Sequence, residues 1–195
     1  MSQLRFTIIQ STLHWEDKEA NLDMFEQKIS GITEKTELVL AAALAETMQG
    51  PSVQWMKAIA ARHKIILAGS IIIKEFAQNK KELFYNRLVW MLPNGQLGFY
   101  DKRHLFAYAG EDAIYSPGKR RLIASVKGWK IHLQICYDLR FPVWARQTPS
   151  PLEKEPMPEY DVLINVANWP QQRSLAWKTL LQARAIENEC YVAIT

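Results

Sequence analysis

Three short apolar runs, separated by two segments of helical period, constrain the first half of the chain to an α/β layer. Residues 4–9 and 37–40 have the length and apolar character of buried strands, and residues 65–73 (IILAGSIII) are too rich in β-branched side chains for a comfortable helix. Between the first two runs, Leu22, Phe25, Ile29 and Ile32 recur at helical spacing within residues 19–33. After Gly50-Pro51 a second helix is expected, with Ser52 as N-cap and Val53, Met56, Ile59 and Ala60 on its inner face.

From Leu83 the pattern becomes antiparallel. Residues 83–92 and 96–100 read as strands joined by the turn Pro93-Asn94-Gly95. Trp129, Ile131, Leu133 and Ile135 alternate with Lys130, His132, Gln134 and Cys136, which predicts a strand with one buried face ending at Cys136. A short helix is expected over 143–147, and the four prolines of 148–159 predict a surface loop. A strand over 161–166 follows, then a helix over 174–189 with Ala176, Leu180, Ala183 and Ile186 inward, and a strand over 191–194. No repeat or linker divides residues 1–195, so a single domain of helices packed on sheet is expected.

Composition narrows the function classes. Lys and Arg number 24 against 20 Asp and Glu, a net charge of +4 with both signs interspersed, which does not mark a nucleic-acid or anionic-membrane binder. Two cysteines, Cys136 and Cys190, make no disulfide framework or zinc spacing, so a reducing cytoplasmic setting is expected. No stretch approaches the ~20 apolar residues of a membrane span, and the N-terminal residues lack the pattern of a secretion signal.

The segment Cys136-Tyr137-Asp138-Leu139-Arg140-Phe141-Pro142 puts a cysteine at a strand end before a turn and a helix. A nucleophile suits that place, because the turn exposes the thiol and the following backbone N–H groups face any oxyanion formed beside it. The competing reading is a buried cysteine serving as a small hydrophobe. A reactive thiol also needs a cation or base, and Tyr100-Asp101-Lys102-Arg103-His104 supplies candidates at another strand end, with Lys102 the natural one. The competing reading of Lys102 is a solvated loop charge like Lys80 or Lys119, the commoner fate of a lysine. His132 lies four residues before Cys136 on the same strand, about 13 Å away, too far to activate it; His104 stays open. Asn165-Val166-Ala167-Asn168-Trp169-Pro170 follows the next strand and opens on the same edge, where an amide and a ring suit a small polar ligand.

In combination, Asp101-Lys102-Arg103-His104-Leu105-Phe106, Gly110-Glu111, the 136–142 segment, Asn165-Val166-Ala167-Asn168-Trp169 and Ala183-Arg184-Ala185-Ile186-Glu187-Asn188 resemble the nitrilase (carbon–nitrogen hydrolase) superfamily in order and spacing, most closely its omega-amidase branch. The resemblance implies a four-layer α-β-β-α sandwich and hydrolysis of a non-peptide C–N bond by a Glu-Lys-Cys triad without cofactor or metal. By position, Cys136 would be the nucleophile that forms a thioester. Lys102 and the Tyr137 backbone N–H would stabilise the oxyanion, and Glu111 would match an additional glutamate that orients thiol and lysine. The implied substrate is a short dicarboxylic acid monoamide such as α-ketoglutaramate. Arg140 is then a candidate for its carboxylate, and Trp169 a candidate pocket wall. A homodimer is likewise implied.

Two departures accompany the resemblance. The family's general base is a glutamate directly after the second strand, whereas Leu40 is here followed by Ala41-Ala42-Ala43-Leu44-Ala45-Glu46, shorter by a loop's worth of residues. Glu46 falls in the stretch leading to the next helix and does not take that role. Family members also continue past the position of Thr195 through further strands of the second sheet. A cysteine amidase and a non-catalytic binding or scaffolding domain therefore both stay open. Nucleic-acid binding through Lys119-Arg120-Arg121 and Lys102-Arg103 fares worst, since the basic runs are short and lack interleaved aromatics.

Overall fold

A computed structural model describes residues 3–14, 17–42, 46–148 and 157–194, together with the backbone but not the side chains of residues 40–42. Two sheets stack face to face. The first has the order β1 (Phe6–Ile8), β2 (Leu38–Ala42), β3 (Ile66–Phe76), β4 (Glu82–Met91) and β5 (Leu97–Asp101); β1 to β3 run parallel and β3 to β5 antiparallel. The second has β6 (Ile123–Val126), β7 (Trp129–Ile135), β8 (Val162–Val166) and β9 (Tyr191–Ile194), with β7 to β9 parallel. Leu38, Ala68, Leu88 and Trp90 of one sheet meet Ile131, Leu133, Ile135, Ile164 and Val166 of the other in a dry central layer. No helix among the described residues is long and apolar enough to cross a membrane.

Helices α1 (Lys18–Ser30) and α2 (Pro51–His63) cover the outer face of the first sheet. Phe25, Ile29, Val53, Met56 and Ile59 pack there on Val39, Leu67, Val89 and Met91, and each such side chain contributes about 1.5–3 kcal/mol on burial. The inner face of α2 is the one its spacing predicts, but Ser52 is not its N-cap. Gly50 is, and the Glu46 carboxylate takes the free N–H groups of Ser52 (3.0 Å) and Val53 (2.9 Å) while pairing with Lys18 at 3.1 Å. Gly50 is required, because a Cβ there would stand 2.7 Å from the Glu46 side chain.

Burial alone would raise the Glu46 pKa, yet the two backbone donors and Lys18 outweigh it and hold the carboxyl below its ordinary value. A depressed carboxyl contributes stability above its ordinary pKa and loses it as pH falls through the folded value. Glu46→Ala should therefore lower stability by about 1–2 kcal/mol at neutral pH, with the difference from wild type shrinking in urea melts taken at increasingly acidic pH.

On the second sheet three expectations are corrected. The alternation of β7 is present, but both faces are buried: His132 and Gln134 are fully enclosed, and the His132 ring stacks on Tyr160 at 5.0 Å. Burial pushes the His132 pKa down to about 3, so it is neutral at physiological pH. Helix α4 is confined to Pro142–Ala145, and residues 149–156 of the Pro-rich stretch lie outside the described residues. Helix α5 (Ser174–Glu187) buries Trp177 and Arg184 while Ile186 is 78% exposed. Arg184 turns inward to donate twice to the Leu139 carbonyl, at 3.0 and 2.7 Å, which rotates Ile186 to solvent. The layer order is α-β-β-α.

Candidate active site

β7 delivers its last side chain into a turn rather than a regular extension. Cys136 opens a 3-10 turn (Cys136–Arg140) with φ +47°, a left-handed conformation that a residue with a Cβ adopts only when its surroundings impose it. The imposing group is Asp138, fully buried beneath the turn. Its carboxylate accepts from the Ile135 N–H (3.1 Å), the Tyr100 hydroxyl (2.7 Å) and the His104 N–H (2.9 Å), and pairs with His104 Nδ1 at 2.8 Å. His104 is thereby committed to Asp138 and stacked on Phe141 at 3.7 Å, so it is not a base for the thiol. Asn165 Nδ2 donates to the Cys136 carbonyl at 3.5 Å. Sequence reasoning gave Asp138 no role of its own; its position two residues after the cysteine was the available signal.

β5 ends one residue before Lys102, whose side chain is 1% exposed. The chain is fixed there from both sides. The Lys102 N–H donates to the Asn86 carbonyl, and the Gly118 N–H donates to the Lys102 carbonyl. Gly118 passes so close that a Cβ would stand 2.0 Å from the Asp101 oxygen, which only glycine avoids. Lys102 Nζ lies between both Glu111 oxygens, at 2.8 and 2.6 Å, and Glu111 Oε2 also accepts the Phe106 N–H at 2.8 Å. Glu111 opens the single-turn helix α3 (Glu111–Ile114), a place that favours an anion.

Cys136, Lys102, Glu111 and Trp169 line one cleft of about 920 Å³ at the strand ends of both sheets. Burial pushes the Cys136 thiol pKa up; the Lys102 charge and the Tyr137 backbone N–H oppose this, while Glu111 and Asp138 reinforce it. The thiol is therefore protonated at rest and needs a base to become a nucleophile. Two sequence candidates do not line the cleft with their side chains. The Tyr137 ring packs on Phe106 and Phe141, leaving its backbone N–H as the group that faces the sulfur. Arg140 is exposed, its guanidinium 5.5 Å from the Trp169 ring centre. Phe25, Asn21, Trp177 and residues 10–14 also wall the cleft and escaped sequence reasoning, because nothing local marks a helix residue or an N-terminal loop as part of a distant pocket.

β2 ends beside the cleft, with Ala42 paired to Ser70, and the chain is back against β3 at Glu46, bridged to Ile73. Residues 41–45 carry no titratable side chain, and Glu46 is turned onto the N-terminus of α2. The absence of a glutamate after the second strand is thus not compensated by its neighbour. Among the described residues no cluster of three or more His, Cys, Asp or Glu side chains is arranged to hold a metal ion.

Comparison with known proteins finds relatives that match nearly the whole of this chain. The chain is 39% identical to omega-amidase YafV of Escherichia coli, over 99% of this chain and 74% of that protein. It is 37% identical to the 2-oxoglutaramate amidase of Bacillus subtilis over 71% of this chain and 50% of that protein. A CN-hydrolase superfamily protein from Xanthomonas campestris, whose crystal structure carries an arsenic adduct in the active site, superposes with TM-score 0.90 at 38% identity, covering 100% of this chain and 76% of that one. Residues 26–195 match the carbon-nitrogen hydrolase family itself. With the sandwich, the cleft and these likenesses in agreement, the chain belongs to the carbon-nitrogen hydrolase (nitrilase) family.

Proposed function

We propose that this carbon-nitrogen hydrolase is an amidase that cleaves the terminal C–N bond of a short ω-amide of a dicarboxylic acid, such as α-ketoglutaramate, through a Cys136 thioester, with release of ammonia. The observation that carries the reading is the shared cleft position of Cys136, Lys102 and Glu111. Attack of sulfur on the amide carbon places negative charge on the former carbonyl oxygen. Lys102 Nζ and the Tyr137 N–H are a cation and a dipole fixed in advance where that charge develops, and both are already held, so they need no reorganisation during the reaction. Glu111 keeps Lys102 aimed. Trp169 forms the wall; Arg140, expected from the sequence to meet the substrate's free carboxylate, stays outside the cleft, 5.5 Å from the Trp169 ring centre. The names of the Escherichia coli and Bacillus subtilis relatives support the same substrate class.

Ammonia release from α-ketoglutaramate and from succinamic acid tests the reading directly, with hydroxylamine trapping of a thioester on Cys136 as the accompanying measurement. Turnover with trapping is the expected result; ammonia release that leaves no trappable acyl group on Cys136 would count against the thioester. One observation favours a second reading: no carboxylate stands in residues 41–45. A binding domain that retains the pocket would show calorimetric binding of the ω-amide and no ammonia.

A further inference from the structure

We propose that Gln134 and Asn165 form a buried hydrogen-bond relay, running from His132 to the Cys136 carbonyl, that sets the direction of the Tyr137 N–H. Its catalytic consequence rests on the amidase reading above, in which that N–H meets the oxyanion. Ile131, Leu133, Ile135, Ile164 and Val166 face the other sheet, so the alternate residues His132, Gln134 and Asn165 share the opposite face of β7 and β8. All three are fully buried. Gln134 and Asn165 are direct partners in the parallel register, on strands about 4.8 Å apart.

The polar atoms of this row favour one pairing. The Nε2 atoms of Gln134 and His132 stand 3.2 Å apart, while Gln134 Oε1 and Asn165 Oδ1 are buried acceptors without a donor. Each such orphan costs about 1–3 kcal/mol. Turning the Gln134 amide by 180° exchanges its oxygen and nitrogen and relieves both. His132 Nε2 then donates to Gln134 Oε1, Gln134 Nε2 donates to Asn165 Oδ1, and Asn165 Nδ2 donates to the Cys136 carbonyl at 3.5 Å. Both amides are used as donor and as acceptor. Burial keeps the His132 ring neutral, with one ring proton to give, and the Leu122 carbonyl is the competing acceptor for it.

The relay acts on the site through one peptide plane. The Cys136–Tyr137 peptide is planar and trans, so its C=O and its N–H point in opposite directions and rotate together. Asn165 grips the carbonyl side of that plane from β8, which aims the N–H at the Cys136 sulfur. At φ +47° Cys136 depends on its surroundings for this orientation. Asn165 does not line the cleft, so it is a positioning residue.

NMR of the resting protein, followed by kinetics, tests the relay. Long-range 1H–15N spectra should find the His132 proton on Nε2, and the side-chain amide protons of Gln134 and Asn165 should exchange slowly with solvent. Asn165→Leu keeps the volume and removes the donor. It should shift the Tyr137 amide resonance and lower kcat for an ω-amide by about tenfold, less than outright loss of an oxyanion donor, with KM changed by less than about twofold. Gln134→Leu, which leaves Asn165 in place without its own donor, should move the same resonance by a smaller amount. The tautomer and exchange measurements need neither a variant nor turnover, so they decide the relay even where a substitution unfolds the chain. A wild-type protein that releases no ammonia would fail the amidase reading and leave the relay to the His132 spectrum. A proton on His132 Nδ1, or a folded Asn165→Leu protein with the Tyr137 resonance and kcat of wild type, would overturn the relay.

Discussion

Cys136→Ala is expected to reduce ammonia release from an ω-amide to the uncatalysed rate, and Lys102→Ala to reduce it by about 10²–10³-fold. The two losses have different causes. On the proposed thioester route, loss of the sulfur removes the acyl acceptor, and the remaining groups can only polarise a bound amide. Without Lys102 the thiol remains, but the developing oxyanion keeps a single backbone donor, and Glu111, partnered by Lys102 at 2.6 Å, loses its counter-charge. The thiol also loses the cation that opposes the effect of burial on its pKa, so Cys136 becomes less acidic as well as less supported. Lys102→Ala should accordingly slow both ammonia release and thioester formation in single-turnover mixing. A Cys136→Ala protein that still releases ammonia above background would sink the thioester mechanism.

The largest structural effect is expected from Asp138→Ala. Its fully buried carboxylate joins the Ile135 end of β7, the Tyr100 hydroxyl of β5 and His104 in the loop after Lys102. Tyr100 in turn accepts from the Arg103 N–H at 3.2 Å and from Trp144 Nε1 at 3.0 Å. Burial and the Asp138 charge raise the Tyr100 pKa well above its ordinary value, so it remains a donor at any working pH. Removing the carboxylate leaves several buried donors without an acceptor, and loss of one member of such a network costs about 3–5 kcal/mol. For a chain of this size that is a fall of about 10 °C in melting temperature. Asp138→Asn, which keeps the shape and one acceptor, should fall between the two. A change below about 1 kcal/mol in urea unfolding of Asp138→Ala would show that the turn is held by other contacts, Arg184 to the Leu139 carbonyl foremost.

The site was partly legible in the sequence because its members sit at strand ends, where a motif and a turn coincide. Cys136 and Lys102 each follow a run whose apolar pattern announces a strand, and their placement at one edge follows from the layer order. Asp138 and Arg184 were harder to see. A charged side chain inside a turn or on a helix reads as solvent-facing, and only the facing element shows that Asp138 meets Tyr100 and Arg184 meets the Leu139 carbonyl. The same reason explains β7. Polar residues on alternate positions predict a wet face, but Tyr160 covers His132, and a cover supplied 28 residues later leaves no trace in the strand's own pattern.

The sequence by itself determined the alternation of strands and helices, the antiparallel hairpin at Pro93-Asn94-Gly95, the inner face of α2 and the absence of a carboxylate in residues 41–45. These depend on local periodicity, turn chemistry and residue identity, which the chain carries at short range. The tertiary structure alone decided where the titratable groups are spent. Glu46 closes the N-terminus of α2, His104 is bound to Asp138, and Lys102 stands against Glu111, because each partner is brought in by a different element and the pairing energy depends on distance and burial, neither of which a linear order of residues contains.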